Sequence, residues 1–398
     1  MEQHDVVIVG GGPAGAAVAI GLARLGHEVV VVERSPVPHW RACGVFSSPA
    51  SMVALRRLGL DDTTLRTLTR AIPAMRVETA GGTRFRLAYG DDETLRAPAV
   101  GFDRPALDAA LLGLARSAGA TIRPATTLVR LRGGRVAVRG QGGESEVEAR
   151  VLVGADGIRS VVAASAGVAR RAWLGDRVGL TFHVDDPRPD EPRDARMILF
   201  RDGYVGLAPV PGGRVNVGIV LAGRRSAELM ANGPQDTIQA VLAAIPPASD
   251  DPVDWRTAQP RDPIKGAAPI GHRVARRHGQ GWLLVGDSAG FLDPFTGEGL
   301  HRALVSARLA AVAIDRHLHG DPDGLAAYDR AMTVRFRAKD AVSLLVQAFL
   351  GQPPLFEFAA RRLAARARVR ETMGLVMGDL VPAWHALDPR FVTALLRP

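Results

Sequence analysis

Cysteine is nearly absent. Cys43 is the single one in 398 residues, so the chain can close no internal disulfide and build no cysteine-based metal site. Nothing therefore demands an oxidising compartment, a cytoplasmic setting is the expectation, and no metal ligand set is expected. Lysine is almost as scarce. Only Lys265 and Lys339 occur, so the formal net charge of +9 rests on arginine spread over the whole chain. That spread, with no RNA- or DNA-binding signature beside it, argues against a nucleic-acid partner. No uninterrupted apolar run reaches the length of a membrane span. The apolar stretch 6–22 follows acidic Glu2 and Asp5, has no basic leader and is broken by glycine and proline, which argues against a signal peptide. What remains, 47% hydrophobic and 23% charged, is the balance of a globular protein with room for two domains or one interleaved one.

The opening reads as strand (6–9), glycine turn, amphipathic helix (13–25) and strand (28–33), a βαβ unit. Ser48-Pro49 is a helix start, followed by apolar residues at helical spacing, Met52, Leu55 and Leu58. Residues 73–99 alternate polar and apolar around "AGGTRF" and predict a hairpin. A helix over "FDRPALDAALLGLARSAGA" stops at Gly119, strands follow near 121–132 and 135–139, and "EARVLVGADGIRS" is a buried strand ending at Asp156-Gly157. From about 173 to 263, short strands joined by Gly, Pro and Asp turns predict an inserted antiparallel sheet. "GWLLVGD" returns to a buried strand, 298–316 and 323–350 read as helices, and a helical tail follows "GQPP". The expected fold class is α/β: a three-layer Rossmann-type domain from 1–72, 100–172 and 264–325, an antiparallel substrate sheet from 73–99 and 173–263, and a helical region over 326–398.

Gly10, Gly12 and Gly15 form G-x-G-x-x-G directly after a strand, and Pro13 and Ala14 open the helix. Such glycines permit a tight turn and a close backbone approach, so that a pyrophosphate can meet the helix N-terminus. Glu33, with Arg34 beside it, ends the second strand where an acid accepts hydrogen bonds from a ribose hydroxyl pair. An acid there argues against a 2′-phosphate, which leaves FAD or NAD as the cofactor.

Three further segments separate these two. "FDRPALDAAL" puts Arg104 at a helix start, "VLVGADGIRS" supplies Asp156-Gly157, and "GDSAGFLDPFTGEGLHRAL" supplies Gly286-Asp287 and a glycine run. In this order the segments resemble the para-hydroxybenzoate hydroxylase-like flavoproteins, which include class A flavin monooxygenases, flavin halogenases and geranylgeranyl reductases. The resemblance covers nearly the whole chain. It implies FAD as cofactor and NAD(P)H as transient electron donor. It implies that Asp287 meets the ribityl and pyrophosphate region, that Pro294, Gly297, Gly299 and Leu300 lie along the flavin ring, and that Asp156 sits near the pyrophosphate. Asp156 reads equally as a turn-forming Asp-Gly. "WRACGVFSSPA" resembles the (K/R)xCGxxxSP stretch of the reductase branch, which would put Arg41, Cys43 and Gly44 over the ribityl and ring. Cys43 also fits a small buried apolar residue.

The chain departs from the families it resembles in two places. It lacks the early Lys and the W-x-W-x-I-P segment of flavin halogenases, which argues against halogenation. Where geranylgeranyl reductases carry Y-x-W-x-F-P-K it has "YVGLAPV", keeping Tyr204 and Pro209 and losing the large side chains between them. His183, Tyr204 and His301 are the acid–base candidates, the two histidines also fitting core positions. The resemblance implies oxidoreduction of an apolar organic molecule in secondary metabolism. NAD(P)H-dependent monooxygenation (hydroxylation or epoxidation) is the first expectation and reduction of a C=C bond in a prenyl, lipid or polyketide substrate the second; a non-catalytic flavin-binding protein is the third. Residues 335–370 hold eight basic and two acidic residues among apolar ones. That reads as a solvated helical face, or as a surface for a membrane or a carrier protein delivering the substrate.

Overall fold

The computed structural model describes residues 2–43, 45–89, 98–132, 135–174 and 177–397; Gly44, an expected cofactor contact, lies outside the described residues. The class is α/β as expected. Four parallel strands form the centre of the first sheet: Thr121–Arg123, Val29–Val32, Glu2–Val9 and Gly143–Gly154, with Trp282–Leu284 added parallel at the far side. Val29–Val32 is four consecutive valines, all buried, the composition of a strand covered on both faces. Helices Pro13–Arg24, Arg104–Ser117 and Gly299–Leu318 share one core with these strands. The hairpin Thr127–Arg132 with Arg135–Gly140 extends from the long strand Gly143–Gly154.

The second sheet has the order Lys265–Ala267, Val178–Asp185, Arg214–Leu221, Gly203–Val210, Ala195–Phe200, Ala74–Glu78, Arg84–Ala88. Its pairs are antiparallel except Ala195–Phe200 with Ala74–Glu78. Strand alternation sorts its residues. Phe182, Val205, Leu207, Val217 and Ile219 face one way, onto helix residues Leu229, Ile238, Val241 and Leu242. Thr181, His183, Tyr204, Asn216 and the glycines between them face the other way, towards the first sheet's loops.

Two features differ from the sequence reading. Helices Gly223–Asn232 and Pro234–Ala243 stand inside the stretch read as sheet, where the i, i+3, i+4 spacing of Ile238, Val241 and Leu242 carried the signal for the second. The 73–99 hairpin forms as Ala74–Glu78 with Arg84–Ala88, but Ala99–Phe102 joins Phe46–Ser47 and Thr69–Ile72 in a small third sheet. Gly101 makes that possible: a Cβ there would sit 2.0 Å from the Pro209 carbonyl oxygen, so only glycine lets the two sheets approach. Helices Gly324–Leu350, Pro353–Ala365 and Ala367–Met377 complete the chain's core beside the Arg84–Ala88 edge. Among the described residues no helix is long and apolar enough to cross a membrane.

Candidate functional site

The ends of three parallel strands bring distant segments together. Gly10 has φ +105°, and a Cβ on it would lie 2.4 Å from the Ala155 carbonyl oxygen. Gly15 is tighter still, at 1.9 Å from the Gly10 carbonyl oxygen, which seats helix Pro13–Arg24 against its strand. Gly286 has φ +59° and would meet Ala14 Cβ at 2.8 Å. The two glycine loops of the sequence are thus one surface, at the strand ends where open α/β sheets hold ligands. Glu33 is buried there and accepts hydrogen bonds from Gly11 N at 2.7 Å, Ser35 N at 3.0 Å and Arg41 Nη2 at 2.7 Å. Burial alone would raise its pKa, but the Arg41 charge and the two amides hold the carboxyl below its ordinary value. Arg34 beside it is exposed. A cleft opens beside Glu33, with Gly11, Arg41, Asp108 and Leu112 among its walls.

Arg104 is tied to the cleft wall through Asp108. Its Nε donates to both Asp108 oxygens, at 2.8 and 2.9 Å, and its Nη2 lies 3.4 Å from where a Gly12 Cβ would be. Burial works against its charge, but Asp108 and the neighbouring Cys43 side chain outweigh it and raise the pKa. The Asp287 carboxyl accepts no hydrogen bond among the described residues; burial pushes its pKa up, against the pull of Arg104 and Arg302. Asp156 is already engaged, accepting from Ser160 Oγ at 2.6 Å and Val161 N at 2.6 Å, which braces the start of helix Val161–Ser165, itself capped by Ser160.

The 293–299 loop is pinned by a hub that the sequence reading missed. Asp293 accepts from Tyr204 Oη at 2.5 Å, Phe295 N at 3.0 Å and Arg177 Nη1 at 2.6 Å, and Arg177 also donates to Gln347. Burial and the Asp293 charge push the Tyr204 phenol well above its ordinary pKa, so its proton stays on oxygen and holds the loop. Gly297 has φ +65° and packs on Phe46, 2.4 Å from where a Cβ would be. Helix Gly299–Leu318 then begins with no side-chain cap, leaving the first-turn amides of Gly299, Leu300 and His301 open.

Facing this loop, the second sheet has a floor without side chains. Gly218 pairs with Gly206, flanked in the same row by Thr181 on one side and Met197 on the other. A Cβ on Gly206 would find nothing nearer than Met197 Cε at 3.6 Å. Asn216 Nδ2 donates to Thr181 Oγ1 at 3.0 Å, and Thr181 Oγ1 reaches the Cys43 carbonyl at 3.4 Å. His183, one row on, is buried; its Nδ1 lies 2.5 Å from Asp262 Oδ2 and its ring 4.3 Å from that of Trp40. Burial lowers its pKa, against the pull of Asp262.

His301 turns elsewhere, into a charged seam that only the fold reveals. Its Nε2 lies 3.3 Å from Arg335 Nη2, and burial lowers its pKa. In the same seam Lys339 donates to Val376 O and Asp379 Oδ1, both at 2.8 Å, and lies 3.8 Å from Glu298 Oε2; Ser48 Oγ donates to Asp379 Oδ2 at 2.9 Å. Burial raises the Glu298 pKa. Lys339 was readable only as one of two lysines.

Among the described residues, buried polar atoms lacking partners include Arg41 Nε on the cleft wall, Trp40 Nε1 beside His183 and Thr296 Oγ1 in the 293–299 loop. Unpaired buried polar atoms are costly, and a ligand rich in phosphate, hydroxyl and ring-edge groups is what such a set fits. An adenine dinucleotide carrying a flavin has those groups.

Residues 3–341 match the family described as FAD binding domain. The chain is 30% identical over 338 residues to a menaquinone reductase of Mycolicibacterium smegmatis, covering 78% of this chain and 76% of that one. It is 31% identical over 335 residues to a digeranylgeranylglycerophospholipid reductase of Methanothermobacter thermautotrophicus, covering 81% and 80%. The solved flavin-dependent brominase Bmp2 superposes with TM-score 0.82 at 19% identity, over 99% of this chain and 98% of that one. PqsL of P. aeruginosa, solved with 2-aminobenzoylacetate, gives 0.70 at 21%, over 89% and 98%.

Proposed function

Since this chain belongs to the FAD-binding-domain family and is an FAD-dependent oxidoreductase, we propose that it reduces a carbon–carbon double bond in an apolar, prenyl-bearing substrate. Of the two reactions expected from the sequence, this is the second. The observation that carries it is the 30–31% identity to two reductases, because the halogenase and monooxygenase likenesses, all below 25%, speak for the fold alone. The side-chain-free floor at Gly206 and Gly218 agrees, offering a flat apolar object a place opposite the 293–299 loop.

Bound flavin, once reduced by NAD(P)H, would supply a hydride to one carbon of the double bond, and a proton would complete the other carbon. The chain's residues bind and orient. Glu33 accepts from the ribose hydroxyls; Gly10–Gly15 let the pyrophosphate approach the helix N-terminus, with Arg104 and Arg41 offering cations. Asp287 takes the ribityl hydroxyls, for which its carboxyl has free acceptor positions. The open amides of residues 299–301 would offer a helix N-terminus to the ring edge, where such a terminus stabilises negative charge. Asp293, Tyr204 and Arg177 fix that loop. His183, paired to Asp262, is the proton-holding group on the sheet face.

The test is run without oxygen and, in parallel, in air. Protein reduced with NADPH or dithionite is mixed with a menaquinone or a geranylgeranyl lipid, and the product is weighed by mass spectrometry after air has returned any quinol to quinone. A gain of two hydrogens supports the reading. Substrate-coupled oxygen consumption with a gain of one oxygen overturns it in favour of monooxygenation, and flavin that binds without substrate-dependent turnover overturns it in favour of a non-catalytic protein.

A further inference from the structure

We propose that His27, Asp315 and His319 form a binding site for a divalent first-row metal ion of the zinc type. His27 follows the Gly26 turn between helix Pro13–Arg24 and strand Val29–Val32, whereas Asp315 lies in the last turns of helix Gly299–Leu318 and His319 directly follows it. The fold brings them together. His27 Nε2 is 2.8 Å from Asp315 Oδ1, His319 Nδ1 is 3.4 Å from the same oxygen, and one ligand atom from each lies within 4.8 Å of the other two. Ligands bound tetrahedrally to zinc at about 2.0–2.1 Å stand about 3.4 Å apart, so the three need only small side-chain rotations to share an ion.

The surroundings are those of a metal site. The His27 ring is nearly buried, and its other nitrogen, Nδ1, faces Asp5 Oδ2 at 4.0 Å. An outer carboxylate behind a ligating imidazole orients the ring and strengthens it as a ligand. Asp5 is itself held by the Glu28 amide at 3.1 Å and by Arg150 at 3.0 Å. His319 is exposed and now gives its Nδ1 to the Asp315 carbonyl at 2.8 Å, a bond it would exchange for the ion. Exposure on that side leaves the fourth coordination position to water. The carbonyl end of the helix carries partial negative charge and favours a cation. Two imidazoles with one carboxylate select a borderline ion such as zinc over magnesium or calcium, which take oxygen sets. A hydrogen-bonded pair would need only His27 and Asp315; His319, one helical turn on and aimed at the same carboxylate, makes a chelate.

The ion would tie the first βαβ unit to the helix whose opposite end carries the open amides. Twenty helical residues span about 30 Å, so its effect is on the anchoring of the two elements and not on chemistry.

The FAD-loaded protein, stripped with EDTA, is titrated calorimetrically with zinc chloride, with magnesium chloride as control, and its melting midpoint is followed in parallel. One zinc per chain, a midpoint raised by several degrees, at least tenfold weaker binding in His319→Ala and His27→Asn, and no response to magnesium are expected. His319 is exposed, so His319→Ala keeps the fold and its metal-free midpoint. Failure of the wild type to bind zinc stoichiometrically, or equal zinc affinity in His319→Ala, overturns the site.

Discussion

Lys339→Met removes a cation that is 3% exposed and keeps most of its apolar stem. Three interactions go: the 2.8 Å ion pair with Asp379, the 2.8 Å hydrogen bond to the Val376 carbonyl, and the weaker attraction of Glu298 Oε2 at 3.8 Å. Removing one partner of a buried pair leaves an uncompensated charge and costs about 3–5 kcal/mol. Two acids are left behind, so the loss belongs at the upper end wherever both must be ionised. The sign with pH follows from Asp379. Burial alone would raise its pKa, but Lys339, His301 and Ser48 hold it below its ordinary value. In the wild type it therefore contributes stability above its unfolded pKa, and this is lost as pH falls through the folded one. Without Lys339, burial prevails and the folded pKa rises above the unfolded one, so the variant is penalised as pH increases. The gap between the two proteins should be largest near pH 8 and shrink towards pH 5, and Asp379→Asn in the Lys339→Met background should recover part of it. Urea unfolding followed by tryptophan fluorescence and flavin release at both pH values checks this. A gap at pH 8 no larger than that of a surface substitution, about 0.5 kcal/mol, or one that widens towards pH 5, refutes the reasoning.

Tyr204→Phe should lower stability by about 1.5–3 kcal/mol, the worth of a hydrogen bond to a charged group, and leave the pH dependence of turnover in place; a displaced pH profile would make Tyr204 an acid in the reaction. Glu33→Gln should weaken FAD binding at least tenfold in a flavin-fluorescence titration, since it keeps the shape and removes the charge that Arg41 and the Gly11 amide meet; unchanged affinity rejects its assignment to the ribose. Gly206→Ala should be tolerated, because the new methyl would sit 3.6 Å from Met197 Cε, whereas Gly206→Trp should fill the floor and abolish turnover with FAD still bound and its absorption spectrum intact. Full activity in Gly206→Trp moves the substrate elsewhere.

The first sheet was legible because its signals are local. Four valines in a row and a glycine fingerprint before a helix state their structure without help from the rest of the chain. The inserted sheet was legible for its strands and opaque for its two helices, since Gly233-Pro234 interrupts the period that joins Leu229 to Ile238. The site divided along the same line. Glu33, Arg104 and Asp287 stand in motifs, but Arg177, Gln347, Lys339 and Asp379 gain their meaning from neighbours more than a hundred residues or a helix away, and no spacing announces them. Arg34 and Arg41 show the limit of motif reading: both follow Glu33, and only the path of the chain sends Arg41 back to it and Arg34 out to solvent. Tyr204, expected as an acid–base candidate, has its phenol engaged by Asp293 on the opposite element, a partner no spacing announces.

The contact between Ala14 and Gly286 also has a consequence in time. The two residues are roughly 270 apart in the chain, and at about 5–20 residues per second a ribosome needs a quarter of a minute to nearly a minute to make the stretch between them. Until then the N-terminal βαβ unit carries half a binding surface, with Gly10, Gly12 and Glu33 in place and no helix opposite. Long-range closure of this kind is slow, and a ligand that bridges both halves stabilises only the closed form. FAD supply during synthesis should thus set how much of the protein reaches the folded state, and a cell short of riboflavin would lose this protein to proteolysis before it lost its activity per molecule.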